Sequence, residues 1–457
     1  MENAWKKYNA KEKKEVFSFT EGYRKFISDC KTERECVTEG IIIAEEHGFK
    51  DIEEYIKGKK QLKAGDKVYL NNKGKDLALF IIGKQPLENG MNILGAHIDS
   101  PRIDWKQHPF YEDHEIALAD THYYGGIKTY QWVTLPLAIH GVVCKKDGSK
   151  TEIVIGEDPK DPVVGISDLL IHLSRDQMQK TAGKVIEAED LNVTIGSIPL
   201  EKEEKDAVKA NILKMLKKKY DIEEDDFISA EIEVVPAGPA RHYGLDSSMI
   251  MGYGHDDRVC AYTSLMAMME IENPEKTVSC MLVDKEEVGS IGSTGMQSYF
   301  YENVVAELVE LVEGYSYLTF RRCMANSKML SSDVSAAYDP NYPGVNEMKN
   351  TCFFGYGIVM NKYVGSGGKS GSNDANPEFI AEIRKVWDDN KVSWQTAELG
   401  RVNQGGGGTI AYIMAKYNMQ VIDSGVAVQN MHAPWEVVSK ADVYEAKNAY
   451  VAFCKFM

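Results

Sequence analysis

The sequence predicts an α/β fold: a mixed, mostly parallel sheet with helices on both faces, interrupted by a β-rich inserted domain. Three observations predict it. From residue 251 onward, apolar strand-like runs alternate with helical periodicities, the pattern of a sheet covered on both faces. A second strand-rich stretch lies well upstream, at 67–98. Between them, 101–244 has a different texture and is far too long for a connecting loop. The chain is therefore read as 1–100 and 245–457, two parts of one domain, with 101–244 inserted. Its 457 residues, 43% of them hydrophobic, are ample for two cores.

The elements follow in order. Helical apolar spacing with many charges covers 12–56. KVYL and LALFII flank NNKGKD, a hairpin turn signal, and NILGAHID is a third strand. In the insert, TYQWVTLPLAIHGVVC, TEIVIG, LNVTIGSI and ISAEIEVV read as strands, with one highly charged helix over 201–219. Further on, a helix is expected over 257–271, the strand TVSCMLVD, and a helix near 295–311. The strand CFFGYGIVM, helices at 377–388 and 409–417, the strand MQVID and a helix from 440 complete the chain.

Composition excludes several functions. A formal net charge of -16 argues against nucleic acid or an anionic membrane as partner, since both require a basic face. No apolar stretch approaches the roughly 20 residues of a membrane helix. The first residues, MENAWKKYNAKEKKEV, lack the apolar core of a secretory signal. None of the eight cysteines forms a CxxC pair or shows zinc-finger spacing, so they read as reduced thiols of a cytoplasmic protein.

Five polar clusters each close an apolar run: His97 and Asp99 in GAHIDSPR, Asp256 and Asp257 in GHDDR, Glu286 and Glu287 in DKEEVGS, Asp333 in SSDVSAA, and His432 in NMHAPWE. Imidazoles and carboxylates converging at strand ends suit a divalent metal. Two histidines with three or more carboxylates exceed one tetrahedral site and suit two metals with a bridging carboxylate. In His-x-Asp on a strand both side chains share a face, so Asp99 can orient His97. In Glu-Glu the side chains are expected to diverge, leaving one to bind metal and one to take a proton. Each cluster alone also fits a surface pair, a solvated face or a helix cap; Asp257 suits a cap for the following helix. Their occurrence together carries the functional reading. The Gly405–Gly408 run precedes a helix but lacks the Lys-Ser/Thr of a phosphate loop.

These motifs, in this order, resemble the aspartyl aminopeptidase and vacuolar aminopeptidase I-like family of di-zinc exopeptidases. The resemblance covers about residue 15 to the C-terminus. It implies a zinc-exopeptidase α/β domain with an inserted dimerisation domain. It implies that His97 and Asp333 hold one metal, Glu287 and His432 the other, and that Asp256 bridges them through a motif with a cis Asp256–Asp257 bond. Glu286 would be the general base and Asp99 the partner of His97. LLIHLSRD would place His172 at a neighbouring subunit's active site, within a dodecamer built from dimers. Where acidic-specific members carry an Arg-Tyr pair in a longer loop, this chain has Lys362-Tyr363 and a Gly-rich continuation, and some relatives have Asn in place of Asp257. Preference for acidic N-terminal residues therefore stays open. A carboxypeptidase or deacylase would need an arginine for the substrate carboxylate, with Arg102, Arg258, Arg321 and Arg322 as candidates. A non-catalytic assembly protein is the remaining alternative.

Overall fold

A computed structural model describes residues 2–457. The chain divides into two units. Unit 1 comprises 2–99, Ala240–Met431 and Glu436–Met457; unit 2 comprises Ser100–Pro239 and His432–Trp435. His432 therefore groups with the inserted segment rather than with the third stretch of chain.

Unit 1 is built on a nine-stranded sheet. Its order is Lys50–Asp51, Lys67–Asn72, Asp76–Ile81, Val278–Val283, Asn92–His97, Lys328–Ser331, Gln420–Gly425, Ile358–Asn361 and Trp394–Thr396. Five of its pairings are parallel, including both made by the central strand Asn92–His97, and three are antiparallel. That strand is buried along its whole length, as expected where both faces are covered. Its side chains alternate between two cores: Leu94 and Ala96 enter one, Ile93 the other. The first core also receives the helices Ala10–Asp29, Glu33–Glu46, His255–Met269, Pro377–Asp389 and Lys440–Phe456. The second receives Phe300–Glu313 and Tyr317–Asn326. A smaller five-stranded sheet joins Arg241–Tyr243, Met249–Gly252, Glu436–Ser439, Ala427–Gln429 and Ser335–Ala336.

Unit 2 is a six-stranded antiparallel sheet in the order Lys150–Ile155, Leu137–Cys144, Ala230–Pro236, Arg102–Asp113, Ile116–Tyr124 and Val193–Gly196. The helix Ala207–Tyr220 lends Leu213 and Leu216 to a core of Phe110, Ile139, Val143, Phe227 and Ile232.

Several sequence expectations shift. The helical stretch at 12–56 is broken by caps: Asn9 with Glu12, and Thr32 with Glu35, form capping boxes that start separate helices. TYQWVTLPLAIHGVVC is a strand only over Leu137–Cys144, because Thr129–Gln131 makes a single 3-10 turn and Pro136 precedes the strand. CFFGYGIVM shortens to Ile358–Asn361. The hairpin Arg102–Asp113 with Ile116–Tyr124 escaped the reading, because its alternation is broken by a bulge between Trp105 and Phe110, where Pro109 has no N–H to donate.

Candidate metal centre

The strand Asn92–His97 ends at His97, between the ends of two parallel neighbours, Val278–Val283 and Lys328–Ser331. Each neighbour leads into an acidic segment, Glu286–Glu287 and Asp333. Parallel strands thus bring distant carboxylates to the same edge, the usual place for a site in such sheets.

His97 is buried, with Nδ1 3.0 Å from the Asp99 carbonyl oxygen and 3.3 Å from Asp99 Oδ1. Donation from Nδ1 leaves Nε2 facing Asp256 Oδ1 at 3.1 Å and Glu286 Oε2 at 4.0 Å. Asp256 is held by Glu436, whose carboxylate accepts from the Asp256 N–H at 2.9 Å. Gly254 in the left-handed region and non-helical backbone at Asp256 and Asp257 open the helix His255–Met269, and the Asp256–Asp257 bond is cis. Before it, His255 is fixed by Tyr23, whose hydroxyl lies 2.6 Å from His255 Nδ1. Asp333 lies against Gly425, where a Cβ would come within 2.0 Å of the Asp333 carbonyl oxygen. Only glycine permits that approach.

Glu286 and Glu287 occupy a single 3-10 turn between left-handed Lys285 and Gly289. The Asp99 carboxylate accepts from both turn N–H groups, at 3.1 Å each. Asp99 therefore serves the histidine and the glutamate turn together, a double role sequence spacing did not reveal. Nor do the glutamate side chains diverge as expected: both offer an oxygen within 4.8 Å of a His97 nitrogen and of each other. Because Lys285 is left-handed and the turn is 3-10, the alternation of a strand does not apply here.

The electrostatics are those of crowded acids. Asp333 is pushed well above the carboxylate range by burial, then by Asp257 and Asp256. Asp257 is raised by burial and by Asp256. Burial alone would lower His97, but Asp256 and Asp99 outweigh it and raise the imidazole well above its usual value. His97, Asp256 and Asp333 each offer a ligand atom within 4.8 Å of the others, as do His97, Glu286 and Glu287. One imidazole among carboxylates is a donor set for zinc or a similar divalent ion, whose charge would relieve the repulsion and displace the protons. The residues present therefore fit the metal.

Two further sequence candidates lie in unit 2. His432 adopts a left-handed conformation and places Nδ1 2.8 Å from the Gly126 carbonyl oxygen. His172 is exposed on the 3-10 turn Ile171–Leu173, flanked by exposed Leu170 and Leu173. It is not a core histidine. Sequence reasoning passed over Glu436 and Tyr23; the final Glu of MHAPWE was the available signal for the first, and nothing local marks the second.

The aminopeptidase I zinc metalloprotease (M18) family matches residues 26–454. A probable M18 family aminopeptidase 1 of Clostridium acetobutylicum is 63% identical over 452 residues, covering 99% of this chain and 97% of its own length. The crystal structure of an M18 aminopeptidase from Thermotoga maritima superposes with a TM-score of 0.95 at 42% identity, covering 100% of this chain and 99% of that chain. The yeast mApe1 dodecamer shares the fold at 20% identity, with a TM-score of 0.76 over 95% of this chain and 96% of its own. The chain belongs to the M18 family of zinc metalloprotease aminopeptidases.

Proposed function

We propose that this aminopeptidase works with two divalent metals, zinc by family, and that Glu286 is its general base. The observation that carries the reading is the convergence of His97, Asp256, Asp333, Glu286 and Glu287 at one sheet edge, with Asp99 tying the histidine to the glutamate turn. His97 and Asp333 would hold one metal and Asp256 would be shared. By the family resemblance, Glu287 and His432 would hold the other. When bound, the metals supply Lewis acidity toward the scissile carbonyl and anchor the substrate's free α-amine. The Glu286 carboxylate takes a proton from the attacking water and returns it to the leaving amine. Asp99 holds His97 in the tautomer whose Nε2 faces the acids, and fixes the backbone from which Glu286 projects.

The carboxypeptidase and deacylase reading needs an arginine aimed at a substrate carboxylate. Arg258 donates to the Ile98 carbonyl oxygen and lies over Tyr253; Arg102 pairs with Asp104 and Glu233; Arg322 pairs with Glu88. An acidic N-terminal preference needs a cation for the substrate side chain. In the stretch that replaces the Arg-Tyr pair, Lys362 and Lys369 both pair with Asp374, and Lys369 lies over the Tyr363 ring. Two lysines sharing one carboxylate leave a net positive charge there, which accommodates an acidic N-terminal residue as well as an uncharged one. Eight unpaired cysteines accord with a cytoplasmic setting. Leucyl-, glutamyl- and N-acetyl-leucyl-nitroanilides test the activity. Hydrolysis of both unblocked substrates and not of the N-acetylated one is expected. Cleavage of the blocked substrate would overturn the exopeptidase reading, and the ratio of leucyl to glutamyl rates decides the preference.

Assembly into a dodecamer, with His172 completing a neighbouring chain's site, is proposed from the exposed Leu169, Leu170, Ile171 and Leu173 around it. The apolar run TLPLAIHGVV does not add to that argument: Leu137, Ala138 and Val143 are buried within the chain's own sheet. Mixing inactive His172→Phe with inactive Glu286→Gln after dissociation should restore partial activity. No recovery in proven mixed assemblies would refute a shared site.

A further inference from the structure

The turn carrying Glu286 and Glu287 is gripped on two sides. On one, Asp99 accepts from its N–H groups. On the other stands Asp284, the fully buried residue that follows the strand Val278–Val283. Asp284 Oδ2 accepts from Thr294 Oγ1 at 2.7 Å and from Lys285 Nζ at 2.9 Å, and lies 3.3 Å from Lys75 Nζ. The Asp284 N–H donates to Asp76 Oδ1 at 3.0 Å. Lys285 belongs to the turn and moves with it. Lys75 comes from elsewhere, the hairpin turn between Lys67–Asn72 and Asp76–Ile81, and its side chain is buried.

A buried lysine loses the hydration its charge would have in water, and is retained where the charge is used. Here it stands against the carboxylate that precedes a left-handed residue and the catalytic turn. Removing it would leave buried Asp284 beside Asp76 with Lys285 Nζ and Thr294 Oγ1 as its side-chain partners, and the Lys285–Glu287 backbone would shift as Lys285 took over the pairing. We propose that Lys75 is a positioning residue for the reaction, holding the Glu286–Glu287 turn through Asp284. The inference rests on the assignment of Glu286 as base and Glu287 as metal ligand.

The test compares Lys75→Met, Lys75→Arg, Thr294→Val and Glu286→Gln on leucyl-nitroanilide, with zinc saturating and metal content measured. Displacement of a reacting group by about 1 Å costs up to about 100-fold, so Lys75→Met should lower kcat about 10- to 100-fold. KM should stay within about twofold, and Lys75→Arg should recover most of the loss. Thr294→Val, which removes only a hydroxyl contact to Asp284, should lower kcat in the same sense, and it decides the matter if Lys75→Met fails to fold. Wild-type kcat in folded Lys75→Met and Thr294→Val, with Glu286→Gln inactive, would overturn the positioning role and leave the base assignment standing. Wild-type turnover by Glu286→Gln would remove the base assignment on which the proposal rests.

Discussion

Both units bury charged side chains, but with opposite logic. In unit 2 a buried cation sits among carboxylates: Arg102 lies between Asp104 and Glu233 and over the Tyr124 ring. In unit 1, at the sheet edge, acids crowd acids: buried Asp256 and Asp257 and half-buried Asp333 stand around one histidine. Buried opposite charges offset one another's desolvation, which is a folding matter. Buried like charges offset nothing until a cation arrives. The crowded acids at the sheet edge are thus set apart from paired charges such as Arg102 with Glu233.

The largest expected effect sharpens that comparison. Glu286→Gln should lower turnover about 10²- to 10⁴-fold while leaving zinc content unchanged, because only a proton acceptor is lost. Metal analysis with steady-state rates checks it; loss of metal would make Glu286 a ligand instead. Next in size, Arg102→Met should destabilise the protein by roughly 3–5 kcal/mol, since it strands buried Glu233. The rate per folded molecule should be unchanged. Calorimetry with active-site titration separates the two, and a specific loss of rate would break the division between units.

The smallest effect concerns a buried acid away from the metal centre. Asp442 accepts from the N–H groups of Gly355 and Gly357, and burial pushes its carboxyl up to about 8. The unfolded chain releases that proton near pH 4. The folded state therefore holds the proton more tightly, and the associated stability is full below about pH 4 and lost as pH rises through about 8. Asp442→Asn has no such titration. Wild-type minus variant unfolding free energy, from urea melts at pH 5 and pH 8.5, should fall with rising pH; a constant difference would show that Asp442 is ionised in the fold.

Much of this was legible in the sequence, for identifiable reasons. Continuous apolar runs such as NILGAH and VSCMLV marked central strands, because strands covered on both faces need no alternation. The polar residues closing those runs marked the site. What stayed hidden depended on contacts between distant segments. Nothing near Asp99 announces that it accepts from the Glu286 and Glu287 N–H groups. Nothing near Lys75 announces Asp284. The hairpin Arg102–Asp113 with Ile116–Tyr124 in unit 2 stays hidden because a bulge and a proline break its period.

The crowded acids are expected to hold catalytic cations, and a zinc titration of chelator-treated protein, following leucyl-nitroanilide hydrolysis and melting temperature together, tests this most directly. Metal-free protein should be inactive, with activity and melting temperature rising together and levelling at two zinc per chain. Asp256→Ala, lacking the shared carboxylate, should show neither rise. Full activity in the metal-free protein, or saturation of Asp256→Ala at the wild-type stoichiometry, would contradict it.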